Sequence, residues 1–189
     1  MKTLILNGSP RINGDTAALL AEMKKHLAGE IIEVSAYHGG ISPCVDCRHC
    51  WRYDGCAIKD GMQPVYEAIQ DSDNLVIASP VYYSQLTGPL LSLVSRFQCY
   101  YAARRFRGVR PAIRRKHGVL VLVGGGDGSP KPAEDAADIL FRQLNAQCVG
   151  TVLSLKTDET PAGQDKAAVG QARELAIFLT TLYKDSLSC

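Results

Sequence analysis

The sequence predicts an α/β fold, a doubly wound parallel sheet of five strands with helices on both faces. Short apolar runs alternate with segments whose apolar residues recur at helical spacing. The runs are almost continuously apolar, as in the Val-Leu-Val-Leu-Val of residues 119–123, which is typical of strands buried on both faces. At 189 residues, the chain has about the length of one domain. We therefore expect a single domain over residues 1–189.

The order of the elements follows from these runs and their stop signals. Five strands are predicted, over residues 3–7, 30–34, 74–78, 118–123 and 149–155. Five helices are predicted, from their apolar positions: one from about Asp15 (Leu20, Met23, Leu27), one capped by Asp60 (Met62, Val65, Tyr66, Ile69), one opened by Thr87-Gly88-Pro89 (Leu90, Leu93, Val94, Phe97), one at Leu140, Phe141 and Leu144, and one at Ala172, Leu175, Ala176, Leu179 and Leu182. Residues 36–60 show no period and are predicted to be a loop excursion. Five such units fit the flavodoxin-like strand order 2-1-3-4-5.

Composition and charge exclude several classes of protein. Apolar residues make up 46% of the chain and charged residues 21%, which argues against disorder. The 21 basic and 19 acidic residues leave a net charge of +2, too small to indicate nucleic acid or an anionic membrane as the main partner. No apolar run approaches the roughly 18 residues of a membrane span, and residues 1–8 are too short for a signal peptide. We expect a soluble, cytoplasmic protein.

The ligand of an open parallel sheet binds beyond the carboxyl ends of the strands, where the strand order reverses. The loop after the first strand, residues 8–16, is rich in small and hydroxyl residues and runs into a helix N-terminus. The free N–H groups there favour a phosphate. The loop is neither a Walker A loop nor a G-x-G-x-x-G fingerprint. An ordinary turn capped by Asp15 is the alternative interpretation.

Two further loops leave the same edge of the predicted sheet. Residues 79–89 place Tyr82 and Tyr83 beside hydroxyl and amide groups, a set that suits the face and edge of a flat heteroaromatic ring. Gly124, Gly125 and Gly126 carry no Cβ and let the backbone approach a ligand closely. Packing of a tyrosine on a neighbouring helix and a flexible solvent loop are the respective alternatives. Together the three loops indicate a mononucleotide site.

Three segments together resemble the NAD(P)H-dependent FMN reductase branch of the flavodoxin-like proteins. They are Ile5-Leu6-Asn7-Gly8-Ser9-Pro10-Arg11, Asp73-Asn74-Leu75-Val76-Ile77-Ala78-Ser79-Pro80-Val81-Tyr82-Tyr83 and Leu90-Leu91-Ser92-Leu93-Val94-Ser95-Arg96. The resemblance covers roughly residues 1–155. It implies that Ser9, Arg11, Asn13, Asp15 and Thr16 surround the FMN phosphate, that Pro80, Val81, Tyr82, Tyr83 and Ser84 line the isoalloxazine, and that Gly124, Gly125 and Gly126 lie at its far edge. It also implies a homodimer or homotetramer that completes the flavin site across the interface.

Seven cysteines occur in the chain, and four of them, Cys44, Cys47, Cys50 and Cys56, fall within 13 residues. Dense clustering without a signal peptide points to metal or redox chemistry rather than a disulfide framework. Three thiols at three-residue steps with a fourth close behind suit a [4Fe–4S] cluster better than the widely spaced pairs of a zinc site. The spacing also resembles that of the iron–sulfur flavoproteins, a subgroup of the same family. Free or disulfide-forming thiols and zinc remain alternatives. Cys99 and Cys148 read as buried apolar positions.

Basic residues are concentrated between positions 96 and 116. This stretch holds eight of the 21 in the chain, namely Arg96, Arg104, Arg105, Arg107, Arg110, Arg114, Arg115 and Lys116. A solvated face or subunit contact is one interpretation. A patch that attracts the phosphates of NADPH or an acidic electron partner is the other.

Two functions from different classes follow from the resemblance. The first is an NAD(P)H-dependent FMN oxidoreductase that passes electrons through the flavin to a small acceptor: a quinone, free flavin, disulfide, azo or nitro compound. No protein acid or base is required, because the flavin supplies the chemistry, and no catalytic residue is assigned. The alternative is an electron carrier that couples FMN and a [4Fe–4S] cluster to a ferredoxin-like partner. A regulatory protein that binds flavin without turnover is a third possibility. The sequence does not name the acceptor.

Overall fold

The computed structural model describes residues 1–187, so Cys189 lies outside the described part. Five strands form one sheet: β1 Lys2–Asn7, β2 Glu30–Ser35, β3 Asn74–Pro80, β4 Lys116–Val123 and β5 Ala146–Ser154. All pairings are parallel and the strand order is β2-β1-β3-β4-β5, which confirms the predicted fold. Strand β5 begins three residues earlier than predicted. Its pairing with β4 is irregular after Gly118, where the register skips Val149.

Seven helices occur within the described residues, six between strands and one after β5: α1 Asp15–His26, α2 His49–Arg52, α3 Gln63–Asp71, α4 Gly88–Ser95, α5 Gln98–Phe106, α6 Lys131–Gln143 and α7 Lys166–Leu187. The prediction of five was wrong, because it omitted α2 and α5. Helix α2 is a single turn inside the loop excursion. Helix α5 follows α4 after only two residues. Its buried residues are Cys99, Tyr100, Ala102 and Ala103, and the polar residues among them obscure the helical pattern in the sequence. None of the helices in residues 1–187 combines the length and apolar character that a membrane crossing needs.

The core lies in two layers, one on each face of the sheet. Alternate strand residues divide between them: Leu4, Leu6, Leu75 and Ile77 pack toward α3, α4 and α6, while Ile5, Val76, Val119 and Val121 pack toward α1 and α7. Both sets are almost fully buried. This double coverage explains why the strands read as continuous apolar runs.

Two members of the basic stretch are buried, which corrects its interpretation as a solvated face. Arg96 and Lys116 are each only 1% exposed. The Lys116 ammonium donates to the carbonyls of Ile69 (2.8 Å) and Arg114 (2.7 Å), and burial lowers its pKa to about 8. Arg107 is partly buried, so five exposed arginines remain: Arg104, Arg105, Arg110, Arg114 and Arg115.

Candidate functional site

The loop after β1 packs directly on the start of α4. The Gly8 N–H donates to the carbonyl of Ala78 (2.7 Å), and the Gly8 carbonyl accepts from the Thr87 hydroxyl (2.8 Å). A Cβ at Gly8 would lie only 2.9 Å from Thr87 Oγ1 and from Leu90 Cδ2. Glycine therefore allows this close packing, which joins the loop after β1 to the start of α4.

The same loop is held in shape by short polar contacts. The Ser9 N–H donates to Asn7 Oδ1 (2.8 Å), and the Asn7 amide nitrogen donates to Glu33 Oε1 (2.7 Å). The Arg11 N–H donates to Ser9 Oγ (3.3 Å). Beyond this turn α1 begins at Asp15, so its first N–H groups face the carboxyl edge of the sheet without helical partners.

A cleft at this edge brings together residues from all three predicted loops. Its lining includes Ser9, Arg11, Asp15 and Thr16 from the first loop, Pro80, Val81 and Tyr82 from the second, and Gly125 from the third. Five of the predicted residues do not line it: Asn13, Tyr83, Ser84, Gly124 and Gly126. The cleft has a volume of about 50 Å³.

The second loop contains a tight turn that presents a tyrosine to solvent. Tyr82 and Gln85 exchange backbone hydrogen bonds of 3.0 and 2.9 Å, and the two residues between them, Tyr83 and Ser84, have φ values of +50° and +62°. Two consecutive positive φ values define a type I′ turn, which normally takes Asn or Gly. The Tyr83 side chain is fully exposed beside the cleft. Strained backbone of this kind concentrates at functional sites.

Thr157 and Asp158 also line the cleft, and the sequence reasoning missed both. They follow β5 and hydrogen-bond to residues 124–126, which we call the glycine loop. The Thr157 N–H donates to the Gly124 carbonyl (3.0 Å) and the Asp158 N–H donates to the Gly125 carbonyl (3.3 Å). A Cβ at Gly125 would meet the Asp158 carboxylate at 2.7 Å. The strand topology could have indicated these two residues, because the loop after β5 leaves the same edge of the sheet as the other three.

The charges around the cleft are mixed. Arg11 supplies a positive charge, while Asp15 and Asp158 supply two carboxylates. The Asp15 carboxylate is engaged, since its Oδ1 accepts from the Ala162 N–H (2.8 Å). The groups that can donate to an anion are therefore the hydroxyls of Ser9 and Thr16, the Arg11 guanidinium and the free N–H groups of α1.

A second and larger cavity lies in the loop excursion. It has a volume of about 390 Å³, and all four clustered cysteines, Cys44, Cys47, Cys50 and Cys56, line it. Cys99 of α5 lines it as well, which sequence spacing gave no means to foresee. We call it the cysteine cavity. Trp51 of α2 stacks on Phe106 of α5, with ring centroids 4.0 Å apart, and both rings line the same cavity.

Residues at the end of α4 hydrogen-bond to the loop excursion of residues 36–60, which we call the cysteine loop. The Arg96 guanidinium donates through Nη1 to the Ser42 carbonyl (2.9 Å) and through Nη2 to the Ile58 carbonyl (3.0 Å). These two carbonyls lie on either side of the four cysteines. The Ser95 hydroxyl accepts from the Cys44 N–H (2.9 Å).

The four clustered thiols line one cavity, and the structure does not assemble them into a metal site. In residues 1–187 no three His, Cys, Asp or Glu side chains are placed to hold a metal ion. Burial raises the pKa of the Cys50 thiol, and Cys44, Cys56 and Cys47 raise it further. Arg96 also lines the cavity, and its Nε is buried with no hydrogen-bond partner in the described residues.

The other two cysteines in the described part lie in α5 and β5. Cys99 is buried, as predicted. Cys148 is only partly buried, which corrects the prediction of a buried position, and its thiol lies 3.6 Å from the Gly150 carbonyl oxygen. It lines neither the cleft nor the cysteine cavity.

Helix α4 separates the two sites. Thr87, which precedes α4 as its N-cap, donates to the carbonyl of Gly8, next to the cleft residue Ser9, and the last residue of α4, Ser95, accepts from the Cys44 N–H. Eight helical residues at 1.5 Å each span about 12 Å. The cleft and the cysteine cavity therefore lie at opposite ends of one short helix.

Comparison with known proteins identifies the family. A sequence model described as NADPH-dependent FMN reductase matches residues 1–160. The chain belongs to this family. The match includes the four loops that form the cleft and the whole cysteine loop. It confirms the resemblance inferred from the loop motifs.

Curated relatives in the family include iron–sulfur flavoproteins. One from Archaeoglobus fulgidus is 30% identical over 149 residues, which are 77% of this chain and 63% of the relative. Another, from Methanosarcina thermophila, is 28% identical over 128 residues, covering 66% of this chain and 64% of that protein. The chain thus spans slightly less than two thirds of the length of these relatives.

Solved structures confirm the fold. An FMN-dependent NADH-azoreductase from Bacillus anthracis, solved in complex with FMN, superposes with a TM-score of 0.68 at 16% identity, covering 95% of this chain and all of that one. At such low identity the likeness concerns the fold alone.

Proposed function

We propose that the protein is an FMN-dependent oxidoreductase that takes electrons from NAD(P)H and passes them to a small acceptor. The observation that carries the proposal is the convergence of four loops on one cleft at the carboxyl edge of the sheet, in a chain of the FMN reductase family. The acceptor classes are those that a flavin reduces: a quinone, a free flavin, an azo or a nitro compound. When bound, FMN supplies the hydride and electron transfer.

The phosphate of FMN would lie in the cleft, at the N-terminus of α1. Ser9, Arg11 and Thr16, with the free N–H groups of α1, would donate to the phosphate. Asn13, in the same loop, and Asp15, whose carboxylate is engaged with Ala162, complete the proposed phosphate surroundings. Hydrogen bonds to a charged group contribute roughly 1.5–3 kcal/mol each.

The flavin ring would lie outside the cleft, along its rim. Pro80, Val81 and Tyr82 provide apolar contact there, and Tyr83 and Ser84 form the exposed turn. On the opposite side Gly124, Gly125 and Gly126 present backbone, with the Asp158 carboxylate packed beside Gly125. Tyr82 and Tyr83 are 45% and 102% exposed, so a nicotinamide has open access from solvent. No side chain is assigned a catalytic proton transfer, because the residues of this site bind and orient.

The identity of the flavin tests this proposal directly. The purified protein is denatured and the released cofactor is separated by chromatography. We expect FMN, because the loop lacks the glycine pattern that a dinucleotide needs. Release of FAD, or of no flavin after incubation with excess FMN, would contradict it.

A second candidate function is supported by the cysteine cavity. Four thiols around one cavity at the far end of α4, in a chain similar to iron–sulfur flavoproteins, favour a [4Fe–4S] cluster held by Cys44, Cys47, Cys50 and Cys56. The protein would then exchange electrons with a ferredoxin-like partner. Iron and acid-labile sulfide, measured against FMN in anaerobically purified protein, distinguish this alternative from free thiols.

The proposed assembly is a homodimer or homotetramer. Tyr101 and Phe106 are 46% and 44% exposed on α5, and the exposed arginines Arg104 and Arg105 lie between them in the sequence. Aromatic residues and arginine are enriched in interface cores. The same arginines offer an alternative role in attracting the phosphates of NADPH. Light scattering that gives the 20.5 kDa mass of one chain would contradict the oligomer.

A further inference from the structure

A cavity of about 330 Å³ adjoins α5 and is a neighbour of the cysteine cavity, with Cys99 lining both. Its walls come from α3, from α5, from residues 107–112 and from Asp54-Gly55 of the cysteine loop. None of the residues that line the flavin cleft takes part in it. It is therefore separate from the site of the proposed function.

Two polar atoms on residues that line this cavity are buried and unsatisfied. The Tyr100 hydroxyl and the Arg107 Nε have no hydrogen-bond partner in the described part of the chain. Tyr100 is only 7% exposed, and its ring is fixed between Phe97, with centroids 5.8 Å apart, and Tyr66, at 5.9 Å. Buried donors without partners are rare in folded proteins, and each needs a ligand or a water molecule.

The charges around the cavity favour an anion. Arg107 and Arg110 supply two guanidinium groups, and Asp54 supplies the single carboxylate. Arg107 uses Nη2 to hold Asp54 Oδ1 at 2.9 Å, so its Nε remains available. Burial raises the pKa of Tyr100, which keeps the hydroxyl protonated as a donor.

The remaining walls are apolar apart from Gln70 and Tyr66. Ala103, Val109, Pro111 and Ala112 line them, together with the Cys99 side chain. An inorganic anion would make no use of these contacts. A cavity of this size with apolar walls and a few convergent polar groups is typical of small-molecule sites.

We propose that this cavity binds a small organic carboxylate with a flat apolar body, whose carboxylate accepts hydrogen bonds from Tyr100 Oη and Arg107 Nε. The occupant would also contact the residue that pairs with Asp54, so binding would stabilise the second half of the cysteine loop. The proposal is independent of flavin and iron. It adds a binding site to the protein and assigns no reaction to it.

The test is isothermal titration calorimetry of the purified protein, with its cofactors as isolated, against benzoate. We expect saturable binding of one benzoate per chain. Benzyl alcohol, which has the ring without the charge, and acetate, which has the charge without the ring, should bind at least ten-fold more weakly. No benzoate binding would mean that the cavity holds only water, and equal binding of benzyl alcohol would overturn the role of the anion.

Two variants locate the binding. Tyr100→Phe removes one oxygen atom and keeps the ring, and Arg107→Lys keeps the charge while it removes the Nε donor. Each should weaken benzoate at least ten-fold. Tyr101→Phe is the matched control, because Tyr101 lies on the other side of α5 and lines the cysteine cavity; it should bind as the parent does. Unchanged affinity in Tyr100→Phe, whose circular dichroism confirms folding, would overturn the proposal.

Discussion

The guanidinium of Arg96 lies 2.8 Å from the Asp60 carboxylate, and this ion pair lies where the two ends of the cysteine loop meet. The Arg96 side chain is fully buried and the Asp60 side chain nearly so. Asp60 in turn accepts from the N–H groups of Ser42 and Met62. Arg96 holds the pKa of the Asp60 carboxyl below its usual range against the opposing effect of burial, with the two N–H groups assisting. One buried pair thus joins both ends of the loop to α3 and α4.

Loss of Arg96 should destabilise the protein and the attachment of the cysteine loop. Arg96→Met leaves the Asp60 carboxylate buried without its partner, which typically costs about 3–5 kcal/mol. Urea unfolding should show a loss in that range, and limited proteolysis should cut within residues 42–58. Arg104→Met, at an exposed arginine on α5, should change stability by less than ~0.5 kcal/mol. Equal stability of the two variants would contradict the proposed role of the pair.

Flavin retention should depend on the charge at the cleft. Arg11→Glu replaces a phosphate donor with a carboxylate, and we expect FMN to be lost during gel filtration. Arg142→Glu makes the same change of charge at an exposed position of α6 that does not line the cleft, and it should retain FMN. Thr16→Glu, at the buried start of α1, should also abolish retention. Full FMN content in both Arg11→Glu and Thr16→Glu would show that the phosphate lies elsewhere.

Iron content should follow the loop cysteines. In anaerobically prepared protein, Cys47→Ala should lose the iron while the domain stays folded, because the loop is an excursion outside the two-layer core. Cys148→Ala, in β5, should keep the iron of the parent. Cys99→Ala is also predicted to keep it, although Cys99 lines the cysteine cavity. Equal iron in Cys47→Ala and the parent, or none in the parent, would rule out the cluster.

The packing of α1 on α7 should weaken in acid. Glu22 accepts from Lys25 Nζ (2.8 Å) and from Arg173 Nε (3.0 Å), and these bonds lower its pKa from 4.5 to about 2. Since the folded pKa is the lower one, the stabilisation is present above pH 4.5 and disappears as the pH falls toward 2. The parent should therefore have a higher Tm than Glu22→Gln at pH 7, with a smaller difference at pH 3.

Glu174→Gln is the control for this titration, since Glu174 is exposed on α7. Its Tm should follow that of the parent at both pH values. A difference between parent and Glu22→Gln that stays constant from pH 7 to pH 3 would mean that the Glu22 carboxylate does not stabilise the fold.

The sheet was predictable because its signals are local. Continuous apolar runs and Gly-Ser-Pro or Ser-Pro stops mark β1 and β3, and the rule that ligands bind beyond the carboxyl ends of parallel strands placed the cleft. Helix α5 escaped detection because its buried residues are Cys, Tyr and Ala among polar neighbours. Its role depends on packing against α2, a contact between distant parts of the chain.

The remaining features arise from long-range contacts that no local pattern encodes. Arg96 is buried because carbonyls 54 and 38 residues away accept its hydrogen bonds. The turn at Tyr83-Ser84 lacks the Asn-Gly signature of its type. Thr157 and Asp158 are held at the cleft by backbone hydrogen bonds to Gly124 and Gly125, which are more than 30 residues earlier in the chain. The roles of such positions follow from the folded structure and not from the local sequence.

The most direct test of the proposed oxidoreductase is anaerobic mixing of the FMN-loaded protein with NADPH and, separately, with NADH. Our account predicts that at least one nucleotide bleaches the flavin absorption, and that a quinone or free flavin restores it. Bleaching by a reduced ferredoxin but by neither nucleotide would contradict the account and favour the electron carrier.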